Sequence, residues 1–153
     1  MQSIHDFAPL LSIGSLADCR FDDGSMIQLE VAGVTCYDGK NKVVIGVPDE
    51  VNAVLEEAFP SQISENLLLE FGFSKKEDSI PEYSIVMRGT LSLVLRPVLG
   101  MDGKYSVFVY LSKPDQPDEV DSIMPLGRIQ YFFKIQDIYR SFSSKNLLWK
   151  KSQ

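Results

Sequence analysis

Catalytic proton transfer most often falls to histidine, and this chain of 153 residues contains one, His5. A serine or cysteine triad that depends on histidine would have to recruit it from near the N-terminus. No Gly-x-Ser-x-Gly elbow, phosphate loop or Gly-x-Gly-x-x-Gly fingerprint occurs. Carboxylates are plentiful and often adjacent: Asp22-Asp23, Asp49-Glu50, Glu56-Glu57 and Asp118-Glu119. A glycosidase needs two carboxylates facing across a cleft, whereas sequence neighbours point apart on a strand or share a solvated helix face. The segments Asp22-Asp23-Gly24 and 115–121 offer the oxygen ligands calcium takes, but neither has EF-hand spacing. His5, Cys19 and Cys36 fall short of the roughly four nitrogen or sulfur ligands of a structural zinc. The expectation is therefore a protein that is not an enzyme and uses neither metal nor cofactor.

Charge is the next signal. The net charge is −6 at pH 7, unevenly spread. Residues 1–127 hold 9 basic and 20 acidic side chains, while residues 128–153 hold 6 and 1. An acidic body steers basic partners and works against whole-surface binding of nucleic acid, whose phosphates need lysine and arginine. The groups placed for such a partner are Glu56 and Glu57, and Asp115, Asp118, Glu119 and Asp121. The C-terminal segment offers a second chemistry. Arg128, Lys134, Arg140, Lys145, Lys150 and Lys151 interleave with Tyr131, Phe132, Phe133, Tyr139, Phe142 and Trp149. Aromatic rings beside cations stack bases and hold phosphates, so Arg140, Lys145, Trp149, Lys150 and Lys151 form the nucleic-acid alternative. Ile135, Ile138 and Phe142 at helical spacing read more simply as core contacts, with the lysines on the wet face.

These groups must be positioned by the surrounding elements, and the clearest of those is the alternating stretch 83–111. Tyr83, Ile85, Met87, Leu91, Leu93 and Leu95 point one way, with a bend or bulge expected at Gly89, where the row lacks a side chain. Tyr105, Val107, Val109 and Leu111 form a second row beyond Gly100-Met101-Asp102-Gly103. A two-residue Asp102-Gly103 loop would put Ser106 and Ser112 on the leucine face. A three-residue loop, Met101-Asp102-Gly103, would pair Leu95 with Val109 and Leu93 with Leu111 and keep both apolar rows together; it is the expected turn.

Ahead of this hairpin, residues 16–47 read as a three-stranded antiparallel meander with turns at 22–25 and Asp38-Gly39, and a bulge near Gly33. Cys19 and Cys36 lie in its strand-like runs, where buried free thiols are the usual state. Pro48-Asp49-Glu50 suits a helix start, with Val51, Val54, Leu55 and Ala58 as its stripe and Phe59-Pro60 as its end. A second helix follows, capped by Ser61 or Ser64, with Ile63, Leu67, Leu68 and Phe71 inward and Gly72 as its stop. Residues 74–81 read as a polar loop and 114–125 as an acidic, proline-bearing loop. Residues 129–133 read either as a strand or as the start of a helix, and a C-terminal helix is expected over 136–149. The whole is α+β: an antiparallel sheet built from an N-terminal meander and a long central hairpin, with two middle helices and a C-terminal helix, in a single domain over 1–153.

No basic region followed by an apolar core marks residues 1–6 as a leader, and no apolar run approaches the ~20 residues of a membrane helix, so a cytoplasmic protein is expected. The expected function is a non-enzymatic, acidic protein-binding module that recognises a basic protein partner. In size and charge alone the chain is similar to the secretion chaperones and toxin-immunity proteins of bacteria. An exposed strand edge or apolar helix face would also support a homo-oligomer.

Overall fold

A computed structural model describes residues 4–11, 13–20, 23–37, 40–45, 53–54 and 58–150. The chain divides into two units: residues 1–61 with 131–133, and residues 62–130 with 134–153. Each carries its own antiparallel sheet, as the alternating patterns require. No helix among the described residues is long and apolar enough to cross a membrane.

In the first unit a 3₁₀-helix, Ile4–Leu10, precedes β1 (Leu16–Arg20), β2 (Met26–Tyr37) and β3 (Lys40–Ile45). These three strands are the expected meander. Leu16 pairs with Glu30 and Arg20 with Met26, and β2 and β3 pair out to Tyr37 opposite Lys40, on either side of Asp38-Gly39. The expected bulge lies between Val31 and Gly33. Two short strands extend the sheet: β4 (Ala53–Val54) along β3, and β5 (Ala58–Pro60) along β1.

The helix expected from Pro48 to Phe59 is thus corrected wherever this stretch is described. Val54 pairs with Val44 and Phe59 with Asp18. Sheet pairing and the β-branched and aromatic side chains outweigh the helical spacing. Pro60 sits on an edge strand, where its missing N–H does no harm. Ile4, Leu16, Ala17, Cys19, Leu29, Val31, Phe132 and Phe133 are buried, and Phe7 meets Tyr131 and Phe133 edge-on at 5.1 and 6.0 Å.

The second unit begins with α1 (Glu65–Glu70). Ser64, not Ser61, is its cap: its hydroxyl accepts from the Leu67 N–H at 3.2 Å. Gly72, at φ +91°, ends it. The Gly72 N–H donates to the Leu69 carbonyl and the Phe73 N–H to the Leu68 carbonyl, both at 3.0 Å, and buried Leu68 and Phe73 complete a Schellman ending. Five strands follow in simple sequence: β6 (Ser74–Lys76), β7 (Glu82–Arg88), β8 (Leu91–Pro97), β9 (Tyr105–Lys113) and β10 (Gln116–Ile129), each antiparallel to the next.

The central stretch keeps its expected faces with different turns. Gly89 does not bend one long strand. With φ +54° it helps form the reversal between β7 and β8, which pair with Tyr83 opposite Leu95 and Arg88 opposite Leu91. The β8–β9 register is shifted two residues from the expected one: Leu95 faces Val107, Leu93 faces Val109 and Leu91 faces Leu111. An even shift leaves every side chain on its expected face. The connection is longer because it holds two successive turns. Met101 N–H donates to the Val98 carbonyl and Lys104 N–H to the Met101 carbonyl, with Gly100 and Gly103 at φ +75° in the third positions, the signature of type II turns.

Two loops are corrected. Residues 74–76 of the expected polar loop form edge strand β6, and residues 116–125 of the expected acidic loop lie in β10, the longest strand of the sheet. The C-terminal helix, α2, runs Phe132–Ser143, starting and ending earlier than expected. Ser144 adopts φ +60°, and the Ser143 hydroxyl accepts from the Lys145 N–H at 3.1 Å; serine side chains here compete with the helical ladder and stop it. Trp149 therefore lies beyond the helix and stacks on Phe71 at 5.6 Å.

Candidate functional site: an exposed edge strand

The sheet of the second unit has one inner face with a dense core: Tyr83, Met87, Leu93, Leu95, Tyr105, Val107 and Val109 are buried, as are Leu67, Leu68, Phe71 and Ile135. Strand β10 differs from every other long strand. All its residues are exposed except half-buried Ile129. It is an edge strand, paired with β9 on one side only. Val120 (42% exposed), Ile123 (54%), Met124 (45%) and Leu126 (38%) lie along it. Ile123 pairs with Tyr110 and Met124 with Val109, so the apolar side chains occupy both faces of the strand.

Charge is ordered along the same strand. Asp118, Glu119 and Asp121 occupy its first half, Arg128 its end, and Asp115 the preceding turn. Lys113 on β9 contacts Glu119 at 2.7 Å. Asp118, Asp121 and Arg128 form no ion pair among the described residues; the Arg128 guanidinium reaches only the Met101 sulfur, at 3.6 Å. Register shifts flank Val120 and separate Pro125 from Gly127, leaving Ser122 to Pro125 and Gly127 to Ile129 as the regular segments opposite β9.

The strand's non-core neighbours are polar and aromatic. On β8, Arg96 donates to Glu82 of β7 at 2.6 and 2.8 Å and to the Tyr110 hydroxyl at 2.7 Å, and its guanidinium lies 5.6 Å from the centre of the Phe108 ring. Glu82 holds the Arg96 charge more firmly, and burial raises the Tyr110 phenol. Val94 and Tyr110 are buried on this face, so it is less wet than the alternation implied.

Of the residues expected to meet a basic partner, Asp115 lies in the turn before β10 and Asp118, Glu119 and Asp121 lie along its first half. Glu56 and Glu57 lie outside the described residues. Of the nucleic-acid alternative, Arg140 donates to Asn146 at 3.0 Å and approaches Asp137 at 3.8 Å. Trp149 has one face on Phe71 and donates to Glu70 at 3.0 Å. Lys145 and Lys150 are exposed, and Lys151 lies outside the described residues. Sequence reasoning missed Val120, Ile123, Met124, Leu126 and Arg128 as surface partners of the acids. The only available signal was apolar residues inside a run read as loop.

Other groups are structural. The Tyr83 hydroxyl donates to Glu65, which also takes Lys75 at 3.1 Å. Burial and that bond push the Tyr83 phenol up to about 12, and the same bond, then Lys75, lowers Glu65. The Ser61 hydroxyl is buried and donates to Asp18 at 2.7 Å. Cys19 is a buried free thiol, pushed up to about 11 by burial and then by Asp18. No group of three or more metal-ligating side chains occurs among the described residues. Comparison with protein-family models, curated proteins and solved structures finds no match to this chain.

Proposed function

We propose that the chain is a non-enzymatic protein-binding module and that β10 is its contact strand. The observation that carries this is a fourteen-residue edge strand whose large apolar side chains stand in solvent beside an acidic run. The apolar strip supplies the binding surface, and Asp115, Asp118 and Asp121 steer a cationic group onto it, which acts mainly on the association rate. A cytoplasmic role of the kind filled by immunity proteins or secretion chaperones fits this chemistry.

The test is affinity capture from the source lysate with the wild-type chain and with Ile123→Asp, at low and high salt, with and without nuclease treatment. The expected result is a protein retained by the wild type, released by salt and lost with Ile123→Asp. Retention of the same set by both chains would refute the assignment of β10. Recovery of nucleic acid that depends on Arg140 and Lys150 would transfer the function to the C-terminal segment.

A further inference from the structure

We infer that the outward face of the second unit's sheet docks on the same face of a second copy of this chain, sheet against sheet, with the strands running in opposite directions. The inference rests on the reading of β10 as a contact strand, and names one of its partners.

The free edge of β10 is poorly suited to take another strand. Pro125 brings no N–H, and register shifts interrupt the strand on both sides of Val120 and after Pro125. Such features blunt a sheet edge against strand addition. The exposed apolar side chains therefore act through a face.

Strand β9 measures that face, because its pairing with β8 is unbroken from Leu111 to Tyr105. Residues directly opposite one another stand on the same face. Val86, Ser92, Tyr110 and Ile123 make one row across four strands, and Ser84, Val94, Phe108 and Pro125 make the next. The ends of the first row, Val86 and Ile123, are 62% and 54% exposed, although Val86 lies three strands from the free edge. Exposed apolar surface thus crosses the sheet rather than following its rim. A sheet buries such a face against a second layer. Helix α1 lies on the other face, where the Tyr83 hydroxyl reaches Glu65.

Charge selects a second copy as that layer. The register shift after Val120 sets Asp121 beside it, level with Ser112, and at the other end Arg128 stands opposite Ser106. Asp121 and Arg128 therefore bracket the two rows, and neither forms an ion pair among the described residues. A two-fold contact between like faces has its axis in the plane of the contact. An axis along the strands sets Asp121 on Asp121 and Arg128 on Arg128. An axis across the strands, between the two rows, lays β10 over β10 in the reverse direction. Asp121 then meets Arg128 at both ends, and the Val86–Ile123 row lies on the row of Phe108. Four strands and four rows span about 15 by 20 Å, below the ~800 Å² per partner of a standard interface, so the dimer is weak, with a Kd of about 10 μM to 1 mM. The second copy and a different protein compete for this face.

The experiment is sedimentation equilibrium of the full chain up to ~1 mM, at low and high salt. The expected result is a monomer–dimer equilibrium that salt weakens. Val86→Asp should weaken it at least about tenfold, because the dimer would bury an unpaired charge. Leu99→Asp, at an exposed apolar residue in the turn beyond β8, should leave it unchanged. Asp121→Arg and Arg128→Asp should each weaken it about tenfold, since each makes both end contacts repulsive. An equimolar mixture of those two variants, and the double variant Asp121→Arg/Arg128→Asp, should regain wild-type association. All four positions are exposed, so none of the changes disturbs the core. A wild type that remains monomeric, a dimer indifferent to Val86→Asp, a dimer weakened equally by Leu99→Asp, or a double variant that stays weak would each overturn the inference. A monomeric wild type whose captured partner is still lost with Ile123→Asp would remove the dimer alone. Capture unchanged by Ile123→Asp would remove the contact-strand reading beneath it.

Discussion

Replacing Tyr83 with phenylalanine removes one hydroxyl and leaves the ring, so it isolates the bond to Glu65. Tyr83 is 2% exposed and its hydroxyl donates to a carboxylate, a charge-assisted bond worth about 1.5–3 kcal/mol. The Glu65 side chain is 45% exposed and keeps Lys75, so water can replace the lost donor and the cost should fall near the lower end, about 1.5 kcal/mol.

The pH dependence is more diagnostic. The folded phenol lies at about 12 against an ordinary 10.0. A raised acid stabilises the fold fully below its unfolded value and loses that contribution as pH rises toward the folded one. The wild type should therefore lose roughly 2–3 kcal/mol between about pH 10 and pH 12 that Tyr83→Phe does not lose. Glu65 is lowered, so its contribution is full above the unfolded carboxylate range, about 4.3, and is lost as pH falls through its folded value. That acid loss should be smaller in the variant.

The assay is urea unfolding at a series of pH values, followed through the single tryptophan, Trp149, on its Phe71 platform. Parallel stability curves for the two proteins above pH 10 would refute the raised phenol, and an acid loss equal in both proteins would refute the coupling of Tyr83 to Glu65.

Further outcomes follow from other positions. Gly72→Ala should destabilise by about 1–2 kcal/mol in the same urea assay, because φ +91° strains any side chain; the contact it makes falls on the flexible end of Lys150, which can move aside. Cys19 should resist thiol reagents at neutral pH until the chain unfolds, as peptide mapping of the labelled protein would show.

Much of the sheet was legible because alternation is a local signal. The inward rows of Tyr83, Leu93, Leu95, Val107 and Val109 follow from period alone. Their register does not, because two glycine turns in succession lengthen the connection by an even number, and parity cannot detect that. Gly89 was visible as an interruption, but a bend and a reversal leave the same gap in an alternating row. Residues 53–54 and 58–60 were misread because their apolar spacing suits a helix while their neighbours in space, Val44 and Asp18, offer strand edges. Ser64 and Gly72 were readable as helix ends because capping is chemistry within a few residues.

The candidate surface was half legible. Its acids stood out as charge. Pro117, Pro125 and the same acids made the segment resemble a loop, yet an edge strand tolerates all of these. Trp149 was given a helical position by period, whereas serines 143 and 144 end α2 and packing on Phe71 holds the ring.

The central claim is that β10 is where this protein meets another. The most direct measurement is amide hydrogen exchange on the protein alone at low concentration and in its captured complex. The account predicts that slowed exchange concentrates in residues 116–129, with the strongest change around Ile123. Protection confined to the C-terminal segment, or an unchanged β10 in the complex, would contradict it.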